Sequence, residues 1–155
     1  MPADFPFIPG FLPALQRSPA AMEARAKLAR TIDEGRFPAR VRSQIALVVA
    51  EESRCEYCIW AQTNVAREAG LRWEDVTLAR AGTATDAREA AIVRLARVIA
   101  RTGCFAPNEV RALARDPLVS AADVVEVVAN AALAVLDNYM IQSLAPSAVP
   151  ARREV

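Results

Sequence analysis

Two cysteines three residues apart, Cys55 and Cys58, are the side chains best suited to do chemistry in this sequence. A thiolate attacks peroxides and disulfides, and a second thiol within reach resolves the product as an intramolecular disulfide. The first turn of a helix favours an anionic sulfur, because its backbone N–H groups are unpaired and the helix dipole is positive there. Ser53 and Glu56 have the S-x-x-E spacing of a capping box, which predicts that a helix begins at Ser53. Cys55 would then lie in its first turn and Cys58 one turn along, so the pair predicts two-step thiol chemistry.

Two other interpretations of the pair stay open. Free cysteine is often buried as a small apolar side chain, so the spacing can be purely structural. A zinc site would take Cys104 as a third ligand, but the chain has no histidine to complete it. Cys104 lies in a Gly-Cys-Phe turn between predicted helices, and we interpret it as an incidental thiol. We therefore expect neither a metal nor a cofactor.

The composition restricts the chemistry further. Without histidine the chain lacks the commonest general base and any Ser-His or Cys-His pair. The formal net charge of +1 gives no electrostatic reason to expect nucleic acid or an anionic membrane as a partner. Residues 1–15 lack the basic and apolar regions of a signal peptide, and no uninterrupted apolar run reaches the roughly 18 residues of a membrane helix. We expect a cytoplasmic protein.

The elements that must position the cysteines are helices. Helix-capping residues are frequent along the chain, whereas the period-two alternation of strands is missing. The sequence predicts a single compact, all-α domain over residues 18–145, with an N-terminal extension at 1–17 and a flexible tail at 146–155. The predicted helices begin at Pro19, Pro38, Ser53, Trp73, Asp86, Pro107 and Ser120. The last of them is apolar around most of its circumference, which predicts a helix that is central in the core or shared between subunits.

Several segments of the sequence carry a family resemblance: Arg42-Ser43-Gln44-Ile45-Ala46-Leu47, Cys55-Glu56-Tyr57-Cys58, Ala61-Gln62, residues 80–86, residues 126–130 and Asn138-Tyr139. They resemble the carboxymuconolactone decarboxylase family, in its alkylhydroperoxidase D-like branch, from about Phe11 to Leu144. The resemblance implies an all-helical fold of about six to seven helices, assembled as a homo-oligomer (trimer or hexamer) without a cofactor. It also implies reduction of a hydroperoxide or a disulfide substrate, with a thiol reductant protein or a small dithiol as partner.

The resemblance also implies roles for single residues. Cys58 would be the attacking thiol, passing through a sulfenic acid, and Cys55 the resolving partner. The family pattern places a glutamate twelve residues before the first cysteine and a histidine four after the second, as a proton relay, but Ser43 and Gln62 stand there in this chain. Gln62 cannot take up a proton near neutral pH, so general-base activation, typically worth about 10²–10⁴-fold, is lost from that position.

Other side chains near the pair are candidates for a relay or a pocket. Glu51 precedes the cysteines by four and seven residues and would share their face on a continuous helix, where it could act as a base. We favour a solvated helix end for it. Tyr57 and Trp60 are candidates for the pocket wall, or for the core or an interface.

The sequence therefore predicts a thiol-dependent peroxidase or disulfide oxidoreductase of reduced efficiency, because the relay residues are replaced. The alternative is a catalytically degenerate family member that acts as an oligomeric binding or redox-sensing module. The ring-cleavage decarboxylase activity that names the family ranks last, since nothing in the sequence marks a lactone pocket.

Overall fold

The computed structural model describes residues 16–103 and 107–144. Within these ranges the chain forms α1 (Pro19–Asp33), α2 (Ala39–Glu52), α3 (Glu56–Glu68), α4 (Trp73–Arg80), α5 (Ala87–Thr102), α6 (Pro107–Leu113) and α7 (Ala121–Leu144). The predicted all-α class and the number of helices are confirmed for the described part of the chain. Residues 1–15, Cys104 and the tail at 146–155 lie outside it, so the predictions made for them stay predictions.

Capping residues mark several helix starts where the sequence predicts them. Ser18 accepts a backbone N–H at the start of α1, and Pro19 is the first residue of that helix. Asp86 caps α5 in the same way. Before α7, the Ser120 N–H donates to Asp123 at 2.9 Å while the Asp123 N–H donates to the Ser120 hydroxyl at 3.1 Å. This reciprocal pair satisfies two backbone donors that would otherwise lack a partner.

The central helix of the domain is α2, which packs against α3, α4, α5 and α7. Its residues Ile45 and Val48 are fully buried, and they belong to one core cluster with Ile92 and Leu95 of α5 and Val127 of α7. Burying each such aliphatic side chain contributes about 1.5–3 kcal/mol. The core therefore fixes the orientation of α2, and with it the position of the turn that leads to the cysteines.

One side of α7 packs in this core and the other side is exposed. Val125, Val128 and Tyr139 are 69%, 47% and 66% exposed, whereas Val127 and Ala131 are buried. The sequence predicted a helix that is either central or shared between subunits. The structure places part of its apolar surface in the core and leaves an exposed apolar stripe that includes Val125, Val128 and Tyr139.

By length and composition alone, α7 is apolar enough to cross a membrane, although its apolar run is interrupted by charged residues. This is weak evidence, because the core helix of a folded domain passes the same test. Polar contacts tie α7 into the domain. Arg25 of α1 forms a two-bond ion pair with the buried Asp137, at 2.7 Å for each bond. Asn138 donates to the Ser53 hydroxyl beyond the end of α2 at 3.1 Å.

A polar cluster lies at the N-terminal end of α2, the end away from the cysteines. Arg40 pairs with Asp75 of α4 at 3.1 Å and with Glu89 of α5 at 3.2 Å. Gln44 donates to Glu89 at 2.8 Å. Hydrogen bonds from Arg40 and from the Arg72 backbone N–H lower the pKa of Asp75, against the opposing effect of burial. Four of these residues (Arg40, Arg72, Asp75 and Glu89) line part of a cleft of about 430 Å³, but both arginines already pair with carboxylates.

Acid unfolding tests this cluster. Because the folded-state pKa of Asp75 lies below its ordinary value of 3.8, its ionised form stabilises the fold above that value. The contribution is lost as the pH falls through the folded-state pKa. We expect Asp75→Asn to lower the free energy of unfolding at neutral pH by about 1–3 kcal/mol, and to lose less additional stability than the unmodified protein on acidification below about pH 4.

Denaturant titrations at a series of pH values measure this difference. The exposed Glu68→Gln serves as the matched control and should follow the unmodified protein. If Asp75→Asn loses stability in acid as steeply as the unmodified protein, the stabilising role of ionised Asp75 is wrong.

Candidate redox site

The turn between α2 and α3 determines where the cysteines lie. Ser53 is the C-cap of α2, and Arg54 follows in the left-handed conformation with φ of 50°. The Cys55 N–H donates to the Ala50 carbonyl at 3.3 Å, and the Arg54 N–H donates to the Glu51 carbonyl at 3.0 Å. These two bonds form a Schellman motif, which ends a helix and satisfies its last carbonyl groups. The chain therefore leaves α2 at Ser53 and reaches Cys55 in extended conformation.

The prediction that a helix begins at Ser53 is wrong. The Ser53 hydroxyl donates to the Val49 carbonyl at 2.8 Å and accepts from Asn138 at 3.1 Å, so it connects α2 with α7. Cys55 is the N-cap of α3, and Glu56 is its first helical residue. The S-x-x-E pattern was misleading because the same four residues contain the end of the preceding helix.

Cys55 and Cys58 form a disulfide, with 2.06 Å between the sulfurs and 5.1 Å between the Cα atoms. The predicted bridging reach is confirmed. The Cys58 N–H donates to the Cys55 Sγ at 3.2 Å, so the side chain of Cys55 caps α3 as serine or aspartate would. Cys58 lies within the first helical turn. Both sulfurs are thus near the positive end of the α3 dipole, and Cys55 makes the capping contact.

The disulfide lies in an apolar environment built from four helices. Cys55 is 6% exposed and Cys58 1%. With so little water nearby, a charge on either sulfur has to be compensated by protein dipoles. We define the cysteine cluster as Ala50, Cys55, Tyr57, Cys58, Ala61 and Ile141, against which Met22, Ile59 and Met140 pack.

The two aromatic candidates occupy different positions. Tyr57 belongs to the cysteine cluster, and its hydroxyl is buried without a hydrogen-bond partner among the described residues. Burial raises the pKa of Tyr57. Trp60 is 40% exposed and contacts the Tyr57 ring edge-on, with 5.5 Å between ring centroids. Tyr57 therefore packs in the cluster around the disulfide, while Trp60 presents apolar surface to solvent beside it.

The residues at the two relay positions, Ser43 and Gln62, offer no base. Gln62 lies one turn after Cys58 on α3 and is half-buried, so it shares a helix face with that cysteine. Ser43 is buried in α2, seven residues before Ala50 of the cysteine cluster and on the same face. An amide and a hydroxyl can hydrogen-bond but do not accept a proton near neutral pH.

The sequence favoured a solvated helix end for Glu51. In the structure, an arginine binds its carboxylate. Its carboxylate pairs with Arg80 of α4 at 2.8 Å, and the neighbouring Glu52 pairs with Arg97 of α5 at 2.6 Å. Because the chain turns after Ser53, the continuous helix that would have aligned Glu51 with both cysteines does not form. Its carboxylate binds Arg80 rather than either sulfur.

Sequence reasoning missed the contributions of α1 and α7 to the site. Met22 and Met140 pack against the cysteine cluster, and Asn138 holds Ser53. The segments that carry the resemblance include Asn138, but nothing in the sequence indicated that its side chain contacts the turn before Cys55. Among the residues that the structure describes, no group of three or more His, Cys, Asp or Glu side chains could hold a metal ion. The zinc alternative involves Cys104, which lies outside those residues.

Fold and site together define a class: an all-helical domain with a cysteine pair at the start of a helix that packs on its central helix. The family model described as "Carboxymuconolactone decarboxylase family" matches residues 19–101, which is more than half of the chain and includes both cysteines. The chain belongs to this family, and the resemblance seen in the sequence is confirmed. No curated protein and no solved structure matches the chain.

The strained residue before Cys55 gives a direct test of the turn. A left-handed conformation costs a non-glycine residue roughly 1–2 kcal/mol, and glycine avoids that cost. Glycine also loses more conformational entropy on folding, which offsets part of the gain. We expect Arg54→Gly to raise the free energy of unfolding by up to about 1 kcal/mol, measured by denaturant titration. Arg54→Ala removes the same guanidinium but keeps the β carbon, so it should bring no gain. Equal effects of the two substitutions would contradict the assigned turn.

Proposed function

We propose that this protein is a thiol-dependent oxidoreductase that reduces disulfides, and hydroperoxides more slowly, through Cys55 and Cys58. The observation that carries this proposal is the disulfide at the start of α3, where the Cys58 N–H donates to the Cys55 Sγ at 3.2 Å. Backbone amides at this position stabilise a sulfur anion in surroundings that are otherwise apolar. Family membership supports the scaffold and leaves the reaction to be tested.

Replacement of the relay residues should slow the reaction with hydroperoxides more than the reaction with disulfides. Attack of a thiolate on a hydroperoxide expels hydroxide or alkoxide, and water has a pKa of about 15.7, so the leaving oxygen needs a proton during the step. Attack on a disulfide expels a thiolate, whose conjugate acid has a pKa of about 8.5 and which leaves without that help. With Ser43 and Gln62 at the relay positions, disulfide exchange loses less than peroxide reduction does.

A complete cycle moves two electrons from a reducing dithiol to the substrate. One reduced cysteine attacks the substrate disulfide, forms a mixed disulfide and releases the first substrate thiol. The other cysteine then attacks the mixed disulfide, which releases the second thiol and forms the Cys55–Cys58 bond. A thiol reductant protein or a small dithiol restores the pair by the same exchange in reverse. Each step is an exchange between sulfurs and requires no cofactor.

Dithiol-driven turnover tests the proposal. In a Cys104→Ser background, we expect reduction of a chromogenic aryl disulfide above the rate of the dithiol alone, and slower reduction of cumene hydroperoxide. Cys55→Ser combined with Cys58→Ser should abolish turnover, because no sulfur then remains at the start of α3 to attack the substrate; each single substitution should lower it, because the external dithiol must then resolve the mixed disulfide. Turnover that survives in the variant lacking both cysteines would contradict the proposal.

Restoring a base tests the role of the relay. Gln62→His should raise the peroxide rate relative to the disulfide rate, within the range of about 10²–10⁴-fold that general-base assistance typically supplies. Asn64→His adds the same side chain at an exposed position of α3 and should change neither rate. A peroxide rate that Gln62→His leaves unchanged would show that the missing relay does not limit the reaction.

A redox-sensing module is the second candidate, and the burial of the sulfurs favours it. Cys55 and Cys58 are 6% and 1% exposed, so a disulfide formed under oxidant would be shielded from reductants. This alternative predicts that oxidant closes the disulfide but that turnover does not exceed the rate of free dithiol.

We further propose a cytoplasmic homo-oligomer, a trimer or hexamer as the resemblance implies, without a nucleic-acid or membrane partner. The support for self-association is the stripe on α7 formed by Val125, Val128 and Tyr139, each about half or more exposed. Val125 and Val128 are one turn apart, and neighbouring exposed apolar residues on a helix typically mark an interaction surface.

Charges placed in this stripe should separate the subunits. We expect Val125→Glu combined with Val128→Glu to shift the mass in solution towards that of the 16.8 kDa chain, as measured by size exclusion with light scattering. Ala20→Glu adds a charge at an exposed position of α1 and should leave the assembly intact. An unchanged mass for the α7 variant would place the interface elsewhere.

A further inference from the structure

We infer that Cys55, rather than Cys58, is the sulfur that attacks a disulfide substrate, and that Cys58 is the resolving thiol. This inference rests on the proposed function and reverses the order that the family resemblance implies. It is supported by the hydrogen bonding of the two sulfurs, by their positions at the start of α3 and by the residue at position 62.

The hydrogen bond at the start of α3 distinguishes the two sulfurs. Cys55 is the N-cap of α3, and its Sγ accepts the Cys58 N–H at 3.2 Å. A charged acceptor strengthens such a bond, so opening the disulfide as a Cys55 thiolate keeps the contact and improves it. Among the described residues, no hydrogen bond to the Cys58 Sγ is seen. The amide that could stabilise an anion is therefore already directed at Cys55.

The two cysteines also differ in their position on the backbone. Both are buried, but Cys55 lies in the turn before α3, whereas Cys58 lies within the first turn of the helix. An incoming disulfide has to reach the attacking sulfur from outside, whereas a resolving thiol only has to reach its neighbour. The Cα–Cα distance of 5.1 Å between the cysteines satisfies that second requirement.

Gln62 also distinguishes the two cysteines, because it stands where the family pattern has a base. Attack by Cys58 would rely on a proton acceptor one turn further along α3, and Gln62 cannot serve as one. Stabilisation by the first-turn amides needs no acceptor side chain. The route through Cys55 is therefore the one that this chain still supports.

The chemistry balances as two exchanges. The Cys55 thiolate bonds to one sulfur of the substrate disulfide, and the substrate S–S bond breaks, releasing the first substrate thiolate. Cys58 then gives its proton to the substrate thiolate released in the first exchange and bonds to the Cys55 sulfur, which breaks the mixed disulfide and releases the second thiolate. The substrate gains two electrons and the cysteine pair loses two.

Single-cysteine variants identify the attacking sulfur. Reduced Cys58→Ser and Cys55→Ser, both in the Cys104→Ser background, are mixed with excess chromogenic aryl disulfide, and the initial release of coloured thiolate is measured. Intact mass confirms the mixed disulfide. We expect Cys58→Ser, which keeps Cys55, to react at least about tenfold faster than Cys55→Ser, with the larger advantage at about pH 6. Circular dichroism checks that both variants are folded.

The possible outcomes separate the inference from the function on which it rests. Faster reaction of Cys55→Ser, or equal rates and pH profiles, would overturn the assignment to Cys55 and leave the proposed oxidoreductase in place. If neither variant reacts faster than N-acetylcysteine, and the Cys104→Ser protein shows no turnover, the proposed function itself fails and the inference fails with it.

Discussion

At the end of α2 the Cys55 N–H bonds back to the Ala50 carbonyl, and this bond fixes where α3 can begin. The Schellman motif ends one helix with the residue that caps the next, so both helix ends share a single short turn. The shared turn places Cys55 at the N-cap and Cys58 three residues later, in the first turn of α3. The hydrogen bond to the Cys55 sulfur and the bridging distance between the cysteines both follow from it.

The turn is held in place from several directions. The core side chains of α2 fix the helix that enters it, and Ser53 connects it to Asn138 of α7. Glu51 and Glu52 bind Arg80 and Arg97, which link the same helix end to α4 and α5. Buried packing and interhelical polar bonds of this kind resist local opening, so the sulfurs lie on a rigid support. The N-cap of α3 at Cys55 therefore has a fixed position in the fold.

Periodicity and capping residues predicted the helices well, because each helix carries its own local signals, such as Ser18 with Pro19 or Asp86 before α5. The start of α3 could not be predicted in the same way. The Ser53–Glu56 spacing matches a capping box, yet the choice between beginning one helix and ending another depends on backbone bonds to Ala50 and Glu51 that spacing does not reveal. Contacts between distant segments also could not be predicted from the sequence. Examples are the ion pair of Glu51 with Arg80 and the hydrogen bond of Ser53 with Asn138.

We propose that the start of α3 keeps a sulfur anionic without a base. Thiolate absorbance in the ultraviolet, followed against pH in the reduced protein carrying Cys58→Ser and Cys104→Ser, measures this directly. We predict that the remaining Cys55 stays a thiolate well below the pH of about 8.5 at which an ordinary cysteine is half ionised. If Cys55 titrates at or above that pH, the helix start does not stabilise the anion and the redox interpretation of the site is contradicted.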